Sequence, residues 1–208
     1  MHHHRSTRAP DRDTSTSLTR GGALRAAAFA AGGALTAVTA IGAADRLAAA
    51  PSPEQDIRVL NLLLLVEYVE VAFYEAAIER AGLTGELEDY ANAVVAHERE
   101  HLAYLQNALG EEADPEPNYD LDAVTSDADA FARAAAKLED IAVAAYNGQA
   151  TSVTPPAFLA AARIVSVEAR HAAWIRSIRN SDPAPDAVDV PSDAATVRQK
   201  LRTVGLAA

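Results

Sequence analysis

The stretch EREHLAYL (Glu98–Leu105) sets a glutamate and a histidine three residues apart inside an amphipathic pattern. On a helix Glu98 and His101 share one face, while Arg99 and Glu100 turn toward solvent. A single ExxH of this kind is common on protein surfaces. Its weight comes from EARHAAWI (Glu168–Ile175), which repeats it: Glu98 falls on Glu168 and His101 on His171, and the other charges are not kept in place. The offset is 70 residues, from 98 to 168.

A second pair of segments repeats beside the first. VEYVEVAFY (Val66–Tyr74) aligns without gaps on LEDIAVAAY (Leu138–Tyr146), pairing Glu67 with Glu139 and Tyr74 with Tyr146 at an offset of 72. The chain therefore reads as two copies of a helical hairpin, each with a Glu in its first helix and ExxH in its second. Helix one is expected from about Gln55 to Ala81, closed by Gly82-Leu83-Thr84-Gly85, and helix two from about Glu86 to Leu109. Helix three is expected from Ser126-Asp127, with Asp129 completing a capping box, to Asn147-Gly148. Helix four follows Thr154-Pro155-Pro156 and runs to about Asn180.

Between the hairpins lies GEEADPEPNYDLDAVT (Gly110–Thr125), acidic and proline-bearing, with neither helical nor strand periodicity. Its 16 residues reach roughly 53 Å at about 3.3 Å each, more than the roughly 37 Å of a 25-residue helix. It can cross a whole bundle, so helices two and three are expected to be parallel. The fold class read here is all-α, a four-helix bundle of two antiparallel hairpins joined by a long crossover, with a short C-terminal helix. Residues 51–180 form the bundle, and 181–208 a proline-rich linker and that short helix.

Within the bundle, Glu67 falls in the middle of the apolar face of helix one, among Leu60, Leu63, Leu64, Val71, Tyr74 and Ile78; Asn61, Glu75 and Glu79 take the solvent face. A lone buried carboxylate is costly unless paired or metal-bound. Glu67 and Glu98 are equidistant from the first turn, and Glu139 and Glu168 from the second, so partners at the same height are expected. Four carboxylates (Glu67, Glu98, Glu139, Glu168) and two imidazoles (His101, His171) facing one another repel strongly in a low-dielectric core. Two divalent cations cancel that charge, and one Glu from each of two helices with ExxH from each of the others is the ligand set of dimetal carboxylate bundles. The chain has no cysteine, so ligands are oxygen and nitrogen only. Iron is the first choice and manganese the second, with zinc also compatible.

Glu70 is the alternative helix-one ligand, since it also faces inward, but its repeat counterpart is Ala142. Tyr74 and Tyr146 are candidates for hydrogen bonds to ligating carboxylates. Trp174 and Tyr104 read as packing residues. His97 sits at the edge of the buried face and is not a ligand candidate. No catalytic residue is assigned beyond the metal ligands.

LLVEYVEVAFYEAA, AHEREHLAYL, KLEDIAVAAYNG and SVEARHAAWIR resemble the ferritin-like superfamily, and most closely its exported, desiccation-related proteins, over about Asp56 to Arg179. The resemblance implies that Glu98 and Glu168 bridge two metals, that Glu67 and Glu139 are terminal ligands, and that His101 and His171 take one metal each. It further implies reaction of a di-iron pair with O2 or H2O2, as in a ferroxidase, in iron handling or oxidative stress. A manganese pair implies a catalase-like disproportionation, and a non-enzymatic metal-binding or stress-protective protein is the alternative.

The first 50 residues read as an export leader. Arg5, Arg8, Arg12, Arg20 and Arg25 precede an uncharged Ala/Gly/Thr run from Ala26 to Ala44 and small residues at Ala48–Ala50. The weak hydrophobicity of the run is similar to twin-arginine signals, although Arg20 and Arg25 are not adjacent. Without the leader, 12 of the 18 basic and 26 of the 29 acidic side chains remain, a net charge of −14. Such a surface repels nucleic acid and anionic lipid. Expected partners are metal ions and O2 or H2O2, with no nucleic acid, no membrane span in the mature chain and a homodimer as the candidate assembly; the expected location is extracytoplasmic.

Overall fold

The computed structural model describes residues 51–207, and the expected leader lies outside them. The described chain is helical: α1 (Pro53–Arg80), α2 (Glu86–Leu109), α3 (Ala128–Gln149), α4 (Pro155–Ile178) and α5 (Ala194–Leu201). No helix among the described residues is long and apolar enough to cross a membrane.

The helix ends follow local chemistry. Ser52 accepts from the Gln55 amide, with Pro53 behind it in the first turn. Gly82 and Gly85 both take positive φ in the tight α1–α2 turn, a conformation costly for residues with a Cβ. At α3 the cap is Asp127 rather than the expected Ser126, because Asp127 Oδ1 accepts the Ala130 amide at 2.8 Å.

Helix direction can be read from the cross-links. α1 and α2 are antiparallel: Tyr68 bonds Gln106 at one level, and Tyr74 meets Tyr90 farther along. Glu67 pairs with Tyr146, and Glu139 with Tyr74, so α1 and α3 are antiparallel as well. Hence α2 and α3 run parallel, as the length of the crossover predicts. Asn61 near the start of α1 holds the beginning of the crossover, donating to the Glu112 carbonyl (2.8 Å) and accepting the Asp114 amide (2.8 Å). At the far end of α1, Arg80 bonds Thr125 and Asp122 at 2.8 Å each. From Asn61 to Arg80 is about 28 Å at 1.5 Å per residue, so the crossover travels most of the bundle.

Two details differ from the sequence expectation. Asn61 is buried, not solvent-facing, because its amide satisfies the crossover backbone, while Ile78 lies 38% exposed. Gly148 does not end α3, which continues to Gln149. Instead it admits the tail: a Cβ there would lie 1.9 Å from the Ser192 carbonyl oxygen, and the Ser192 amide donates to Ala144 O at 2.9 Å. The tail then places Val197, Leu201 and Val204 in the same core as the four long helices. Its last residues pair with the crossover through Asp120 N to Gly205 O (2.8 Å) and Ala207 N to Asn118 O (3.1 Å).

Aromatic rings concentrate in one half of the core. Phe73, Tyr74, Tyr90 and Phe131 are fully buried, with Phe73 and Phe131 stacked at 5.2 Å between centroids. Gly148→Ala is expected to push the Ser192 segment off α3 and cost about 1–3 kcal/mol, read as a lower thermal midpoint, because the obstructing atom is backbone and cannot rotate away.

Candidate metal centre

Each of the four long helices delivers its part of the centre from the middle of its length. Glu67, Glu98, Glu139 and Glu168 are 0% exposed and His171 is 3%. Two overlapping groups converge, Glu67, Glu98, His101 and Glu168 in one and Glu98, Glu139, Glu168 and His171 in the other, with the candidate ligand atoms of each within 4.8 Å of one another.

The two imidazoles are the focal points. His101 Nδ1 lies 2.9 Å from Glu98 Oε2, 2.9 Å from Glu168 Oε1 and 3.6 Å from Glu67 Oε2. His171 Nδ1 lies 2.9 Å from Glu98 Oε1, 3.3 Å from Glu168 Oε2 and 3.6 Å from Glu139 Oε2. Glu98 and Glu168 therefore each turn one oxygen to each half, whereas Glu67 faces only the His101 half and Glu139 only the His171 half. Three carboxylate oxygens around one Nδ1 exceed what a single N–H can bond. Glu67 Oε2, Glu98 Oε1, Glu139 Oε2 and Glu168 Oε1 are buried without a hydrogen-bond partner; those near an imidazole are close in distance but not aligned with a donor.

The other oxygens of Glu67 and Glu139 are held by tyrosines from the opposite hairpin. Tyr146 donates to Glu67 Oε1 and Tyr74 to Glu139 Oε1. Tyr90, which the sequence reading did not single out, adds a 3.2 Å bond to Glu139 Oε1 and lies 2.8 Å from the Tyr74 hydroxyl. Its only sequence signal was position, two turns before Glu98 on the same face. Each of these two glutamates thus keeps one anchored oxygen and one free oxygen aimed at the centre.

His97 is exposed and belongs to neither group, yet it is tied to the centre. Its Nδ1 lies 2.9 Å from His171 Nε2, and the two rings stack at 5.2 Å and 10°. That bond leaves His171 Nδ1 facing the carboxylates. Glu70 is inside as well, 0% exposed with neither oxygen hydrogen-bonded, but it is not part of either group.

Burial raises the Glu67 carboxyl to about 8, aided by Glu168 and Glu98 and opposed by the His101 hydrogen bond. Burial likewise raises Glu139 to about 7, against the pull of His171. Burial and all four neighbouring carboxylates push Glu70 well upward. Burial disfavours charge on both imidazoles too, but hydrogen bonds to the glutamates outweigh it and lift His101 and His171 to about 12. At Glu98 burial acts upward, and hydrogen bonds from both imidazoles reverse it to a net lowering. Without metal, the two imidazoliums are the cations that face these carboxylates.

The residues fit a pair of divalent cations. The donor set is all oxygen and nitrogen, the orphaned oxygens point at two foci, and the charge of four carboxylates equals that of two such ions. Two slopes of the metal-free protein's stability follow. Glu67 and Glu139 hold protons in the folded state that the unfolded chain, titrating near 4.5, releases, so stability falls as pH rises from 4.5 through 7 and 8. The imidazoles, raised from 6.5 to about 12, lose their contribution in the same direction but only from about pH 6.5 upward, and Glu98, lowered, has already made its contribution above 4.5. Chelator-treated protein should therefore melt higher at about pH 5.5 than at about pH 8.5. Metal affinity should rise with pH, because binding expels those protons, as calorimetry would record.

The family comparison agrees with this architecture. The ferritin-like domain family matches residues 55–181, which hold α1 but for its first two residues, the whole of α2 to α4, and all six converging side chains. Comparison with curated proteins gives no match. The chain belongs to the ferritin-like domain family.

Proposed function

We propose that this is an exported dimetal carboxylate protein that binds two iron ions and uses them to oxidise Fe(II) or to reduce O2 or peroxide in iron handling or oxidative and desiccation stress. The observation that carries the reading is the way Glu98 and Glu168 divide their oxygens between the two halves of the centre. In this reading Glu98 and Glu168 would be the ligands shared between the two ions, Glu67 and Glu139 would each serve one ion through the free oxygen, and His101 and His171 would hold one ion each. Export rests on the arginine-first leader pattern of residues 1–50.

When bound, an iron pair supplies the electrons for reduction of oxygen or peroxide. The protein's share is orientation, charge and exclusion of water. Tyr146 and Tyr74 fix one oxygen of each terminal carboxylate, so that only the other is free to ligate. His97 orients the His171 ring from outside. The aromatic residues packed beside Glu139 limit water at the His171 half. The raised proton affinity of Glu67 and Glu139 gives the centre groups that accept protons as cations leave.

Metal analysis of protein prepared without an affinity tag should find close to two ions per chain, and a folded chain that retains none would overturn the centre. Air oxidation of added Fe(II), or peroxide loss after manganese loading, separates an enzyme from a metal-binding protein, and Glu168→Ala should abolish either activity. Glu67→Ala should lower retention at the His101 half by at least about tenfold, an effect typical of losing a ligand or its support. Glu70→Ala should retain both ions, and the reverse pattern would transfer the α1 ligand to Glu70.

A further inference from the structure

The two halves of the centre are not equally closed. The side chains of all four ligand glutamates are 0% accessible and that of His171 is 4%, whereas that of His101 is 12%. Three contacts flank the His171 half, where Tyr90 also bonds Glu139. His97 covers its Nε2 at 2.9 Å. Tyr90 and Trp174 meet edge to face at 5.2 Å, and the Trp174 indole N–H donates to Glu86 at 3.1 Å.

The repeat shows what stands at the same places in the other half. Shifted by the 70 residues that separate His101 from His171, His97 corresponds to Val167, Tyr90 to Ala160 and Trp174 to Tyr104. The imidazole cap is thus replaced by an aliphatic side chain, and the buried ring by a methyl group. Among the described residues, His101 Nε2 has no hydrogen-bond partner. Where the ring is missing, a cavity of about 420 Å³ opens to solvent; His101 lines it, with Glu100, Tyr104, Asn107, Ala160 and Arg163 around it.

We propose that this cavity is the port by which hydrated divalent cations reach the buried carboxylates, an inference that rests on the dimetal reading above. A cation with six waters needs about 180 Å³ at roughly 30 Å³ per water, less than half of the space available. The Asn107 amide offers an oxygen that can replace departing waters, while the Tyr104 ring narrows the mouth. Glu100 and Arg163 bring opposite charges to the wall and offset each other, so the pull on a cation comes from the inner carboxylates behind His101. Entry past His101 also orders the filling. The position made by Glu67, Glu98, His101 and Glu168 borders the port, and the His171 position is reached across Glu98 and Glu168, which touch both.

The test follows uptake of Co(II) by visible absorption in the full chain, comparing wild type with Ala160→Tyr, which restores the ring found at Tyr90. The expected result is at least a tenfold slower uptake with the final stoichiometry unchanged at two. Ala169→Tyr, which lines a different cavity on α4, should bind at the wild-type rate. Equal rates in Ala160→Tyr and wild type would overturn the port and leave the metal centre standing. A wild-type chain that takes up no Co(II) would overturn both. Should Ala160→Tyr fold poorly, Tyr104→Ala, at a 43% exposed residue, widens the same mouth and should speed uptake; an unchanged rate there would also reject the port.

Discussion

Burying five glutamates around two histidines is the constraint on which this molecule is built. A single ionised carboxylate in an apolar core is strongly unfavourable, and here Glu67, Glu70, Glu98, Glu139 and Glu168 are all fully buried. Each Nδ1 is ringed by three carboxylates, and protons shift toward Glu67, Glu139 and Glu70, in the direction that limits repulsion. A bundle stabilised only by packing would gain by replacing these groups with leucine. Retaining Glu67, Glu98, Glu139 and Glu168 in two converging groups is understandable if cations compensate them, which is the basis for reading the centre as a candidate metal site.

The same constraint determines how the helices are tied together. The first-helix glutamate of each hairpin is anchored by a tyrosine of the other: Tyr146 of α3 reaches Glu67 of α1, and Tyr74 of α1 reaches Glu139 of α3. These reciprocal bonds require the two helices to be antiparallel and set their axial register. Asn61 and Arg80 hold the crossover that this arrangement requires, one near each end of α1. Ligand geometry and fold topology are therefore satisfied by a shared set of hydrogen bonds, and neither can be changed independently of the other.

Symmetry in the ligands coexists with asymmetry around them. The repeated Glu and ExxH positions build two matching halves, but Tyr90, His97 and Trp174 pack against one half, while Ala160, Val167 and Tyr104 stand at the equivalent places in the other. A reaction that needs a matched pair of metals constrains the inner residues equally on both sides. In the proposed reading access needs one opening only, so the surrounding residues can differ: the enclosed half would keep water from the centre and the open half would serve exchange.

The helices, their approximate ends, the parallel placement of α2 and α3, the inward Glu and ExxH positions, and the hydrogen bonds of Tyr74 and Tyr146 could all be read from the chain alone. Each is a regularity of local spacing: a 3.6-residue period, a glycine turn, a linker long enough to cross, or a motif repeated at an offset of 70 or 72. Tyr90 beside Glu139, His97 on His171, buried Asn61 and the Gly148 contact with Ser192 could not be read in this way. The missed contacts depend on the rotation and axial shift of one helix against another, and at Gly148 on the path of a tail more than forty residues away. Sequence by itself determined most of the residues that line the inner faces, because a helix displays its own period, though not Asn61 or Ile78; only the tertiary structure decided which of those faces meet, because that follows from packing and charge across the whole bundle.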